Sequence, residues 1–102
     1  MSTALIDHGQ LTDIAEIFRL LGDPGRLRIM LCCLEEAKPV GRIAEELSLP
    51  QPSVSRHLRL LRGSRLMARE RKGKQVFYRV AEDNVRSILL NAVAHLADGP
   101  RP

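Results

Sequence analysis

Tryptophan is missing from this 102-residue sequence, and only three aromatic side chains occur, Phe18, Phe77 and Tyr78. So few flat rings leave little to stack on unpaired bases, which argues against a reader of RNA or single strands. Cysteine is scarce as well, with Cys32 and Cys33 adjacent to one another. Neighbouring cysteines make no disulfide framework and lack the spacing of a zinc knuckle, so reduced thiols are expected. No run approaches the roughly 20 apolar residues of a membrane span, and the opening MSTALIDHGQ lacks the basic and apolar regions of a signal peptide. A cytoplasmic protein without membrane association is expected. There is also no Ser-His-acid set, phosphate loop or closed metal site, and the glycines fall at turns. An enzyme is therefore not expected; a small iron- or zinc-dependent one would need a metal with an open coordination position and measurable turnover.

What the chain holds in excess is positive charge, and that charge is concentrated. Between Gln51 and Val80 there are nine bases, Arg56, Arg59, Arg62, Arg65, Arg69, Arg71, Lys72, Lys74 and Arg79, against the single acid Glu70. That segment carries a net +8 and the remainder −4, giving the overall +4. A basic stripe on a small domain attracts a polyanion, and binding that releases condensed counterions is strong and salt-dependent. Double-stranded DNA is the expected partner. The plainer reading, a solvated charged surface, leaves unexplained why acids are almost absent from one supersecondary unit.

Periodicity organises the rest. Leu11, Ile14, Ala15, Phe18 and Leu21 recur at helical spacing, which predicts a first helix from about Leu11 to Leu21, ended by Gly22. Asp23 caps a second, with Pro24 in its first turn and apolar positions to about Glu36, before Lys38-Pro39 breaks it. A third runs from Val40 to Leu47, a turn at Ser48-Leu49-Pro50 follows, and a fourth begins at Gln51 or Pro52 and ends at Gly63. Leu66 to Arg71 and Gln75 to Val80 then read as a hairpin around Lys72-Gly73-Lys74, and Asp83 to Ala97 as a last helix. With 44% hydrophobic residues this is one domain over 1–102 with a modest core, its ends 1–10 and 98–102 flexible, and a partner subunit would help to stabilise it.

Two short helices joined by a tight turn, the second polar outside and followed by a basic hairpin, make a winged helix-turn-helix. The major groove admits such a helix, and side chains from its first turns reach base edges. Gln51, Ser53, Ser55 and Arg56 are placed to do so, and Arg56 is the chief candidate for specificity because its fork matches guanine. His57 lies at the edge of the apolar stripe, where packing or a phosphate contact is favoured over base reading. Arg59 points away from the apolar stripe and is a further DNA-binding candidate, while the wing residues Arg69, Arg71, Lys72 and Lys74 would follow phosphates or an adjacent minor groove.

LGDPGRLRIM at Leu21 to Met30, IAEELSLPQPSVSRHLRLLR at Ile43 to Arg62 and GKQVFYRV at Gly73 to Val80 together resemble the ArsR/SmtB family of small bacterial dimeric repressors. The likeness extends over almost the whole chain, although Gly25 departs from the small hydroxyl residue often seen there. It implies a mainly α fold with a β-hairpin wing, in the order α-α-α-α-β-β-α with the fourth helix recognising DNA, and a homodimer through the terminal helices. Two-fold symmetry then implies a pseudo-palindromic operator with half-sites about one helical turn apart.

The resemblance also implies places for an effector. Members that sense arsenic or cadmium carry paired cysteines in the third helix, here Val40 to Glu45, which has none. The thiol-responsive type is similar in pairing distant cysteines of the second and last helices; here Cys32 and Cys33 are neighbours about 100° apart on a helix, which suits core filling, with redox or soft-metal sensing as the alternative. Members that sense zinc, cobalt or nickel use the two ends of the last helix across the dimer, which correspond here to Glu82 and Asn84, then His95 and Asp98. Asp83 replaces Asn84 if the register moves by one, and His8 could add a ligand from the N-terminal arm. Zinc or nickel is the expected metal, as an effector and not as a required cofactor. Glu82 and Asp83 are equally the residues that helix capping and the helix dipole favour at a start.

Overall fold

Asp7 sets the first helix. Its carboxylate accepts from the Gln10 amide at 2.7 Å, while the Gln10 side chain accepts from the Asp7 amide at 2.9 Å. This reciprocal box starts α1 (His8–Leu21) three residues before the apolar repeat, so the expected flexible segment 1–10 is helical from His8 onward. The computed structural model describes residues 6–99; residues 1–5 and 100–102 of the expected flexible ends lie outside the described residues. Asp23 accepts from the Arg26 amide at 3.0 Å and opens α2 (Pro24–Cys32).

That second helix stops four residues short of the Glu36 its apolar pattern predicts. The Arg86 guanidinium reaches across from the last helix to donate to the Leu34 carbonyl and to meet Glu35 at 3.3 Å. Beyond them Lys38 and Tyr78 exchange two backbone hydrogen bonds, of 2.9 and 2.8 Å, as an isolated antiparallel bridge. An extended Lys38 fixed to a distant strand cannot continue a helix, so tertiary pairing overrides the local pattern.

α3 (Val40–Leu47) and α4 (Gln51–Gly63) match the sequence expectation, and β1 (Met67–Lys72) is shifted by one residue from it. β2 (Gln75–Val80) pairs with β1 antiparallel, from Met67 opposite Val80 to Lys72 opposite Gln75, and α5 (Asp83–Ala97) closes the chain. Gly73, at φ 64, supplies the left-handed residue that the two-residue turn needs.

The core lies where α2, α3 and α4 meet the base of the hairpin. Leu20, Ile29, Met30, Ile43, Val54, Leu58, Leu61, Leu66 and Met67 are buried there, each contributing about 1.5 to 3 kcal/mol in apolar transfer. α5 adds only Val85 and Leu89 to it. Phe18 is 62% exposed and Leu96 71%, with Leu11, Ile14, Ile88 and Val93 also open to solvent. The radius of gyration, 15.2 Å, exceeds the roughly 13 Å of a compact chain this long, and the shape is a slab of 47 × 38 × 21 Å. The outer helices thus leave apolar faces that one chain does not cover. Among the described residues no helix is long and apolar enough to cross a membrane.

Candidate nucleic-acid interface

The turn between α3 and α4 is fixed by its own hydrogen bonds. Ser48 caps α3 in the left-handed region at φ 55, the Leu49 amide donates to the Ala44 carbonyl at 3.0 Å, and Arg28 donates to the Leu47 carbonyl at 2.8 Å. Pro52 then lies in the first turn of α4, where its missing amide costs nothing. With Val54, Leu58 and Leu61 facing the core, α4 turns Gln51, Ser55, Arg56 and Arg59 outward, and leaves Ser53 half-buried. Its first turns are unencumbered, as insertion into a groove requires.

His57 departs from that outward row. A β-carbon on Gly25 would stand 3.3 Å from its Nε2, and its Nδ1 is buried without a partner among the described residues. The imidazole packs against the start of α2, so the packing alternative is the one its surroundings favour. Gly25, the departure from the family pattern, makes room for that ring.

The hairpin register divides the wing cations. Residues directly opposite share a face, so Arg69 and Arg71 lie with Tyr78 and Val76, whereas Lys72 lies on the other face with Glu70, Phe77 and Gln75. Lys72 Nζ is 5.5 Å from the Phe77 ring centre and 3.8 Å from Glu70. Lys74 sits in the turn. The four wing residues are therefore not one row: two line one face, one is partly engaged on the other, and one is at the tip.

Elsewhere the bases are occupied. Outside Gln51 to Val80, Arg19 pairs with Glu16, Lys38 with Glu46, Arg42 with Glu36 and Glu46, and Arg86 with Glu35, while Arg26 and Arg28 bond to carbonyls. Inside that segment Arg79 bonds to the carbonyls of Val80 and Ala81, but the side chains of Arg56, Arg59, Arg62, Arg65, Arg69, Arg71 and Lys74 have no partner among the described residues. Cations left unpaired on one side of a molecule that pairs its others make a polyanion surface.

The cysteines separate. Cys33 is in the core, and burial pushes its thiol up to about 12. Cys32 is half-buried and not simply core filling: its Sγ lies 3.4 Å from Lys38 Nζ and 3.5 Å from Glu46 Oε1, although burial still raises its pKa. Lys38 Nζ donates to Glu46 at 2.7 Å, and that bond, followed by one from Arg42, holds the Glu46 carboxyl at about 2. This junction of α2, α3 and the wing strand was not foreseen from sequence, where Lys38 marked only a helix break.

The metal candidates lie far apart within one chain. Glu82 and Asp98 flank α5 at opposite ends, about 24 Å along its axis, with Asp83 beside the first and His95 near the second. Among the described residues no three His, Cys, Asp or Glu side chains converge. Glu82 occupies the N-cap position without a side-chain cap bond, so capping does not engage it. His8 is on the first turn of α1, not in an arm.

Residues 23–68 match the sequence model described as bacterial regulatory protein, arsR family. The chain is similar to the HTH-type transcriptional regulator KmtR of Mycobacterium tuberculosis, 36% identical over 84 residues, covering 82% of this chain and 65% of KmtR. It thus spans just under two thirds of that relative's length. The transcriptional repressor PagR of Bacillus anthracis superposes with a TM-score of 0.75 at 31% identity, over 84% of this chain and 99% of PagR. The homodimeric winged helix-turn-helix DNA-binding domain Mb0332 of Mycobacterium bovis gives 0.81 over 100% and 96% of the two chains, at 23% identity, a likeness of fold.

Proposed function

The chain belongs to the ArsR family of bacterial regulatory proteins, and from that premise we propose that it is a cytoplasmic homodimeric repressor of transcription that binds operator DNA. The observation that carries this is the set of cations on α4 and the wing that lack a partner among the described residues, in a molecule whose described bases outside Gln51 to Val80 are all engaged. The α4 residues Gln51, Ser53, Ser55 and Arg56 would read base edges, with Arg59, Arg69, Arg71, Lys72 and Lys74 on phosphates. His57 would set the seat of α4 on α2. The uncovered apolar faces of α1 and α5 support a second copy as partner. Nothing in this reading is enzymatic; KmtR and PagR are named as a transcriptional regulator and a repressor.

The test is fluorescence anisotropy on fragments of the protein's own locus, comparing the parent with Arg56→Ala and Ser53→Ala. Loss of affinity on the preferred fragment supports the reading. Unchanged affinity in both variants favours the rival, an interaction module that meets an acidic protein.

Control by zinc or nickel needs two copies, because one chain offers only a pair of candidate ligands at each end of α5, too few for a closed tetrahedral site. His95 and Asp98 are i, i+3 on one face, and Glu82 or Asp83 of a second chain would have to complete them. Repeating the anisotropy with zinc, nickel and cobalt, on the parent and on His95→Ala, tests this. Control through Cys32 and Cys33 is the alternative, supported by the charged pair beside Cys32 and opposed by the raised pKa of both thiols. An oxidant that changes the affinity of the parent but not of Cys32→Ser would favour it.

A further inference from the structure

Three arginines of the basic segment take no part in the DNA-facing set, and of these Arg79 is bonded to the Val80 and Ala81 carbonyls. Arg62 and Arg65 sit at the far end of α4 from its groove-entering turns, and neither guanidinium has a partner among the described residues. Both line a cavity of about 520 Å³, within the usual span for small-ligand sites. Its floor is apolar, made by Ile17 of α1, Leu66 and Met67 at the hairpin base, and Val85 of α5. Glu82, at the start of α5, is its one carboxylate. A smaller hollow of about 230 Å³ shares Arg65 and adds Asp13 and Glu16 of α1, the latter already held by Arg19.

Arg65 is also held in an unfavourable backbone conformation. The Leu66 amide donates to the Leu61 carbonyl at 2.8 Å, the closing bond of a helix end that needs a left-handed residue just before it, and Arg65 takes that place at φ 58. Glycine adopts this conformation without strain and is the usual occupant. The chain has a glycine two residues earlier, Gly63, where a β-carbon would meet nothing. The favourable dipole position for a cation in the last turn is already filled by Arg62. A long cation kept where glycine fits better, on the rim of an apolar hollow, argues for a use of its guanidinium.

We propose that this cavity binds a small monocarboxylate with an apolar body, its carboxylate between Arg62 and Arg65 and its chain on Ile17, Leu66, Met67 and Val85. Guanidinium is the side chain suited to a carboxylate, and the floor favours a ligand with apolar surface to bury. The walls come from α1, α4, the hairpin and α5, so an occupant touches the recognition helix and both terminal helices at once. Any consequence for operator affinity rests on the DNA-binding reading; the binding itself is measured without DNA.

The test is calorimetric titration of the full chain with octanoate, using 1-octanol and inorganic phosphate as controls, with methyl NMR to locate the site. Octanoate should saturate and shift the methyl groups of Met67 and Val85, with octanol and phosphate at least about tenfold weaker. Arg65→Gly should melt no lower than the parent, because the turn prefers glycine, and should bind octanoate at least about tenfold more weakly. Absence of saturable binding, equal binding by either control or by Arg65→Gly, or shifts confined to the hollow beside Phe18 and Ile88 would each overturn the proposal. So would Arg65→Gly weakening duplex binding with octanoate binding intact, which would make Arg65 a phosphate contact.

Discussion

Arg56 and Lys72, two cations of one basic segment, have different surroundings. Arg56 projects from the outward row of α4 with no partner among the described residues, so Arg56→Ala is expected to cost roughly 1 to 3 kcal/mol on the preferred operator and to relax specificity at one position. Lys72 is already shared with Phe77 and Glu70, so Lys72→Ala should weaken all duplexes alike and lower the salt slope by about one. Anisotropy on matched and mismatched operators separates the two; equal, sequence-independent losses would refute the division. Glu46 gives a pH prediction. Its carboxyl is lowered from 4.5 to about 2, chiefly by Lys38, so its contribution to stability is complete above about 4.5 and is lost as pH falls toward 2. Glu46→Gln should flatten the stability profile in that window, measured by urea unfolding. The outward placement of Arg56 was legible in the sequence because it stands two residues from Val54 and Leu58 and five from Leu61, off the buried stripe, a matter of helical phase alone. The Cys32, Lys38 and Glu46 junction was not, because Lys38 is brought there by backbone bonds to Tyr78, forty residues away.

At the level of elements, α3, α4, β2 and α5 were read correctly, α1 begins three residues before the expected start because its apolar repeat does not mark the Asp7 cap, and the end of α2, set by distant residues, was missed. α3, α4 and β2 carry their own punctuation in Pro39, Ser48, Pro52, Gly63 and Gly73. α2 does not: its apolar residues continue past Cys33, yet the chain leaves the helix where Arg86 takes the Leu34 carbonyl and Lys38 joins the wing strand. Arg86→Ala should therefore destabilise the fold by about 1 to 3 kcal/mol, the range for a charged hydrogen bond to a part-buried acceptor, as read in urea. The wing cations were legible by residue type, but their separation onto two faces depends on the one-residue position of β1, which its sequence pattern left open. His57 was similarly ambiguous until Gly25 was seen to leave space for its ring.

The whole molecule is a slab with a cationic element at one region and bare apolar helices at another. Phe18, Ile88 and Leu89 border an almost wholly apolar hollow between α1 and α5, which a second copy would fill. Phe18→Glu should turn a dimer into a monomer by analytical ultracentrifugation and greatly weaken operator binding, since one chain alone holds one half-site. Both stripes were evident in the sequence, and so was their excess over what a small core could cover; the ligands that one chain cannot assemble at α5 follow from the same incompleteness. The most direct measurement of the central claim is duplex affinity as a function of salt. If Arg59, Arg69, Arg71, Lys72 and Lys74 of each of two chains contact phosphates, the logarithmic slope should be about −9. A slope near zero, from a protein that sediments as a monomer, would contradict it.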